Sequence, residues 1–278
     1  VFPTAPLLPE ADWFIRLDHE HDGRVAVLTL DNPAKLNGWS WEATRQLAAR
    51  ADQIRFDPDV RAVLLRANGR AFCAGIDAQA PGSPIAGRSD AELVRNYYEG
   101  IRHVHERLAV LSGLPQPVVA AVQGYCLGFG FELALMCDIR IAAEDAVFAL
   151  PEVTLGVAVD AGGDLRLARE VGTGWAKLLA LTGRRIDAAT AERIGAVQLV
   201  TGVEELQRTA FEVAAQLADN APLAVQAVKR SIDSYADHAL GDALRTQALS
   251  ASTLFASADK AAGYAAAAHR RPAAFEGR

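Results

Sequence analysis

The chain has 278 residues, 51% of them hydrophobic and 22% charged, and a net charge of −6. That length builds a sizeable core, and the balance is that of an ordinary globular chain. The acidic excess gives no electrostatic case for nucleic acid or an anionic membrane, and no apolar run reaches the roughly 18 residues of a membrane span.

Residues 1–11 are proline-rich and read as a loosely held arm. Two strands are predicted over 14–17 and 25–30, with His21-Asp22-Gly23 as the turn between them. Residues 41–56 have helical periodicity, with Leu47, Ala48, Ala51 and Ile54 on one face and Ser40 as N-cap. A buried strand follows over 60–66, then a turn at Asn68-Gly69, then 71–76 running into a loop at Ala74-Gly75. The stretch 77–89 holds Pro81, Gly82, Pro84 and Gly87 and reads as a mobile loop walling a site. Residues 90–112 read as a helix, and 118–122, 139–142 and 147–150 as strands. Repeated strand-helix units with short turns imply an α/β spiral with parallel pairing.

Beyond residue 165 the pattern is almost all helical. Residues 175–182 form one helix, stopped by Gly183, and Asp187 caps the next over 188–194. A short strand is expected over 197–200, with helices over 203–218, 222–244 and 245–255 and in the alanine-rich tail. Three regions result: the arm (1–11), a core (12–200) and a helical C-terminal region (201–278). The last is rich in alanine and has no core of its own, which invites packing on another subunit.

The three cysteines, Cys73, Cys126 and Cys137, are odd in number and lie in apolar surroundings without zinc spacing. They read as small buried hydrophobes. The six histidines show no metal-ligand spacing either, and no metal is expected. The opening VFPTAPLLPEADWF lacks a basic segment and a long apolar run, so it does not read as a signal peptide. The expected compartment is the cytoplasm.

The chemistry concentrates in residues 117–164, PVVAAVQGYCLGFGFELALMCDIRIAAEDAVFALPEVTLGVAVDAGGD. A buried strand breaks at Gly124, and Gly128-Phe129-Gly130 leads into a helix starting near Phe131. Glycines let a ligand approach the backbone, and the first helical N–H groups lack intrahelical partners. This suits an oxyanion. Glu132, Glu152 and Asp160 follow, and carboxylates in apolar loops beside such a turn suggest proton transfer next to a carbonyl. Taken alone, Glu132 is also explained as a helix-start carboxylate favoured by the macrodipole, and so ionised. Glu152 and Asp160 taken singly are also explained as strand-end and loop residues.

The segment AAVQGYCLGFGFELALMCDIRIAAEDAVFALPEVTLG resembles the signature of the crotonase family, the enoyl-CoA hydratases and isomerases. The resemblance runs from about Phe14 to Phe275. It implies a ββα spiral core of the ClpP-like kind and a helical C-terminal region that assembles trimers, with two trimers stacking as a hexamer. It places Glu132 and Glu152 on the two catalytic glutamate positions of the hydratases. Asp160 stands where typical hydratases carry glycine. An Asp there, within EVTLGVAVDAGGDLRLAREVG, resembles the Δ3,5-Δ2,4-dienoyl-CoA isomerases. The resemblance assigns the oxyanion hole to the backbone N–H groups of Ile76 and Phe129, the latter at a position where the family usually has glycine.

For coenzyme A the resemblance points to Lys35, Leu36 and Ala74, with Lys35 the phosphate partner, and to Arg271 and Phe275 near the C-terminus. Trp39 and Trp41 replace smaller residues, which reshapes the acyl pocket. The implied partner is an acyl-CoA thioester, with coenzyme A as part of the substrate and no separate cofactor. Three readings remain: a dienoyl-CoA isomerase, a hydratase using Glu132 and Glu152 on a water, and a non-catalytic acyl-CoA binder. Buried acids that cost desolvation weigh against the last.

Overall fold

The computed structural model of the chain describes residues 7–77, 79–80 and 88–278. Most of the predicted 77–89 loop lies outside the described residues. The elements run β1 (Ile15–Glu20), β2 (Val25–Leu30), α1 (Trp41–Phe56), β3 (Ala62–Ala67), β4 (Ala71–Cys73) and α2 (Asp90–Ser112). Next come β5 (Val118–Val122), β6 (Tyr125–Leu127), α3 (Phe129–Ala134), β7 (Ile139–Ala143), β8 (Val147–Ala149) and α4 (Gly163–Thr182). The chain continues with β9 (Ile186–Asp187), α5 (Ala188–Ile194), β10 (Leu199–Thr201), α6 (Leu206–Asp219), α7 (Pro222–Asp237), α8 (Leu240–Leu254) and α9 (Ala258–Ala268).

Two sheets form, in the orders β1-β2-β3-β5-β7-β10 and β4-β6-β8-β9. All pairs are parallel except β1 with β2 and β8 with β9. The strand pairs β3–β4, β5–β6 and β7–β8 each give their first strand to the larger sheet and their second to the smaller. A helix closes each repeat, and this produces the expected spiral.

The central strands are apolar at most positions because both faces of the larger sheet are covered. Alternate residues serve different cores. Ala26, Leu28, Val63, Leu65, Val118 and Ala120 join the core beneath α1 and α2. Val25, Val27, Ala62, Leu64, Val119 and Ala121 face α6, whose Leu206, Ala210, Ala214 and Ala218 recur every fourth residue. Small side chains at that spacing let the helix lie close to the sheet.

Helix α1 has the predicted bounds, and Ser40 Oγ accepts the Ala43 N–H at 3.1 Å. Helix α2 also matches, capped by Ser89. Asp187 caps α5 through the Thr190 N–H.

Three expectations are corrected. The described part of the arm is tied down: Leu8 N–H donates to Glu42, Leu8 O accepts the Trp13 indole N–H at 2.7 Å, and Glu10 pairs with Arg50. The cause is Trp13, whose ring is buried under the Arg50 guanidinium and whose N–H needs an acceptor. The helix predicted over 222–244 breaks after Asp237, and α8 starts at Leu240. Helix α3 begins at Phe129, two residues before the predicted start.

Candidate active site

The site gathers where the two sheets meet the first turn of α3. Gly128 closes β6 with φ 53° and ψ −123°, a conformation that suits glycine. Phe129 is then the first residue of α3, and its φ is not positive. The strain that a side chain at position 129 would meet at positive φ is therefore taken up one residue earlier. The Phe129 ring is buried and stacks on Trp39, with centroids 4.7 Å apart and planes at 26°. The Trp39 indole N–H donates to Thr44 Oγ1 at 2.9 Å. Gly130 is fixed by close approach: a Cβ there would lie 2.2 Å from the Cys73 carbonyl oxygen.

As the first residue of the helix, Phe129 has no intrahelical acceptor for its N–H. Across the site, Trp39 and Ile76 form a parallel bridge through the Gly75 carbonyl and the Asp77 N–H. The Ile76 N–H takes no part in that bridge. Ile76 and Phe129 line one cavity of about 280 Å³, together with Trp39, Trp41, Tyr97 and Asp160. Ile76, Phe129 and Asp160 thus border the same space.

The three carboxylates differ in setting. Glu132, only 2% exposed, accepts the Ala161 and Gly163 N–H groups on a single oxygen, Oε1, both at 2.9 Å. It thereby ties α3 to the loop that carries Asp160. Burial pushes its carboxyl up from 4.5 to about 7, opposed by the Gly163 N–H and reinforced by the charges of Glu152 and Asp160. Burial thus works against the ionised state expected of a helix-start carboxylate. Helix α3 has six residues and a weak dipole, and desolvation outweighs it.

Glu152 opens the single turn Glu152–Leu155 after Pro151. Its Oε1 lies 2.8 Å from where a Cβ on Gly128 would stand, so it packs against the oxyanion turn. Its Oε2 is buried without a hydrogen-bond partner among the described residues. Burial raises its carboxyl above the usual range, and the charges of Asp160 and Asp164 add to the effect. Asp160 is partly exposed and is the one of the three that lines the cavity. Its Oδ2 accepts the Tyr97 hydroxyl at 2.5 Å.

The expected coenzyme A residues fall into two places. Lys35, Leu36 and Ala74 sit together beside Ile76: Ala74 N–H donates to Leu36 O at 3.1 Å, and Lys35 Nζ pairs with Asp77 at 2.8 Å. Arg271 and Phe275 lie after α9, away from this cavity. Phe275 borders a larger apolar cleft among α7, α8 and α9, and its carbonyl accepts from Arg61. Asp138 and Arg140 are structural, as expected: Asp138 pairs with Lys229, and Arg140 is buried and bonded to the Cys137 and Ala196 carbonyls. Among the described residues no His, Cys, Asp or Glu cluster could hold a metal, and no helix is long and apolar enough to cross a membrane.

Tyr97 and His105 were not legible as site residues. Tyr97 falls on the same helical stripe as Ile101, Val104 and Leu108 (i, i+4, i+7, i+11), and a phenol on an apolar stripe was the available signal.

A spiral of ββα repeats thus brings Ile76, Phe129 and Asp160 to one cavity, with Glu132 and Glu152 packed behind it. The enoyl-CoA hydratase/isomerase family model matches residues 20–278, and the chain belongs to that family. A short-chain-enoyl-CoA hydratase of Clostridium acetobutylicum is 39% identical over 217 residues, covering 77% of this chain and 79% of that one. A mitochondrial Δ(3,5)-Δ(2,4)-dienoyl-CoA isomerase of Dictyostelium discoideum is 31% identical over 252 residues, covering 89% and 86%. The crystal structure of an enoyl-CoA hydratase from Bacillus anthracis superposes with a TM-score of 0.86 at 32% identity, covering 96% of this chain and all of that one. The chain is thus an enzyme of the enoyl-CoA hydratase or isomerase kind with the crotonase fold.

Proposed function

We propose that this enzyme converts a 3,5-dienoyl-CoA thioester to the 2,4-dienoyl-CoA. The observation that carries the reading is Asp160, a third carboxylate standing on the cavity wall in addition to the Glu132–Glu152 pair. The Ile76 and Phe129 N–H groups take the thioester oxygen, where negative charge grows as C2 loses its proton. The C2 electron pair becomes the C2–C3 double bond, the C3–C4 pair moves to C4–C5, and the C5–C6 pair takes a proton at C6. Glu152 and Asp160 divide the two transfers, one removing the C2 proton and the other supplying C6. Burial, and after it the Asp160 charge, raises the proton affinity of Glu152. The raised Glu152 carboxyl and its unpartnered Oε2 support a proton-carrying role. Glu132 serves as the buried anchor of the Asp160 loop.

Lys35, Leu36 and Ala74, beside Ile76, serve as the coenzyme A contacts, and Arg271 and Phe275 serve a coenzyme A bound from a neighbouring subunit. These groups suffice for the proton transfers, so no cofactor is assigned beyond the coenzyme A of the substrate. Exposed Val228, Ile232, Tyr235, Leu249 and Phe255 on and just after α7 and α8 support a homotrimer or homohexamer. Three free, buried cysteines support a cytoplasmic location.

A second reading, hydration of a 2-enoyl-CoA, is favoured by the Glu132–Glu152 pair and by the relatives named hydratases. The two part on one experiment: the purified protein is given a 3,5-dienoyl-CoA and, separately, a 2-enoyl-CoA. Growth of the conjugated 2,4-dienoyl absorbance is the expected result. Turnover of the 2-enoyl-CoA alone replaces the first reading with the second.

A further inference from the structure

Asp160 is gripped from one element at two points. The Tyr97 hydroxyl donates to its Oδ2 at 2.5 Å. The His105 ring nitrogen Nε2 lies 2.6 Å from its main-chain carbonyl oxygen. A carbonyl only accepts, so Nε2 carries the hydrogen. Both residues come from α2, eight positions apart, and between them Ile101 and Val104 line the same cavity as Tyr97 and Asp160. Residues 153–158 of the segment leading to Asp160 are exposed and carry little packing of their own. On the other side, the loop is held through Ala161 and Gly163 by Glu132.

We propose that Tyr97 and His105 are positioning residues for Asp160, and that α2 is the element that aims the third carboxylate at the acyl chain. Tyr97 fixes the carboxylate plane by occupying Oδ2, which leaves Oδ1 for the substrate. His105 fixes the main chain from which the side chain springs. Burial and the neighbouring Asp160 push the Tyr97 phenol up to about 12, so it stays a donor across the working pH range. The proposal rests on the isomerase reading in one respect: Asp160 must take part in the reaction.

The test is a double-mutant cycle read in kcat and KM for 3,5-dienoyl-CoA, with wild type, Tyr97→Phe, Asp160→Asn and the double variant. Tyr97→Phe keeps the ring on the cavity wall and removes only the hydroxyl. It should lower kcat about 10- to 100-fold with little change in KM, as expected of a misaimed group. In the Asp160→Asn background the same change should cost nothing further. His105→Gln, which keeps a donor, should retain more kcat than His105→Ala. Unchanged kcat in Tyr97→Phe, or a loss that adds in full to that of Asp160→Asn, overturns the positioning role. Full dienoyl turnover by Asp160→Asn itself overturns the isomerase reading instead, so the two failures are distinguishable.

Discussion

Glu132→Gln is the sharpest probe of the buried carboxylate. The unfolded carboxyl loses its proton near 4.5, whereas burial holds the folded one to about 7. Between those values folding takes up a proton, so stability falls as pH rises through the window, and the penalty is complete above about 7. The shift corresponds to about 3 kcal/mol. Glutamine cannot ionise, and its Oε1 can still accept the Ala161 and Gly163 N–H groups that Glu132 accepts. The variant should therefore match wild type near pH 5 and exceed it at pH 8.5 by up to about 3 kcal/mol, a rise in Tm of roughly 5–10 °C. Thermal unfolding of both proteins across pH 5 to 8.5 gives the comparison. A gap that stays constant with pH, or a wild type that is the more stable at pH 8.5, would show that Glu132 ionises like an ordinary carboxylate.

Two further outcomes follow from the same geometry. Phe129→Pro removes one oxyanion donor at the first helical position, where proline is tolerated. It should cost about 100-fold or more in kcat, whereas Phe129→Leu keeps the amide and should stay within about tenfold while losing on the order of 1–3 kcal/mol from the stack on Trp39. In light scattering at micromolar concentration the protein should run as a trimer or hexamer, and a clean monomer would leave the exposed faces of α7 and α8 without a covering subunit.

Most of the fold was written in local patterns. Largely apolar runs marked β2, β3 and β5 because both sheet faces are covered, and Ser40 and Asp187 marked helix starts by the hydrogen bonds they make. The break between α7 and α8 carries no glycine or proline, so composition alone ran the helix through it. At the site, the family pattern singled out Glu132, Glu152 and Asp160 but not their electrostatics. The protonation of Glu132 depends on burial among residues distant in sequence, and no helix-dipole argument captures that. Phe129 stands without a positive φ where the family usually has glycine because Gly128 takes it, a division of labour between neighbours that spacing does not reveal. Tyr97 lay hidden in an apolar stripe because its meaning comes from a contact 63 residues away.

The central claim is that Asp160 exchanges a proton with the acyl chain. Asp160→Asn is nearly isosteric and cannot do so. The decisive measurement follows the growth of 2,4-dienoyl-CoA absorbance in wild type and variant, beside loss of the 2-enoyl-CoA band in the same preparations. The account predicts a fall in dienoyl turnover on the order of 100-fold or more, with any hydration changed far less. Dienoyl turnover that survives intact in Asp160→Asn would contradict it.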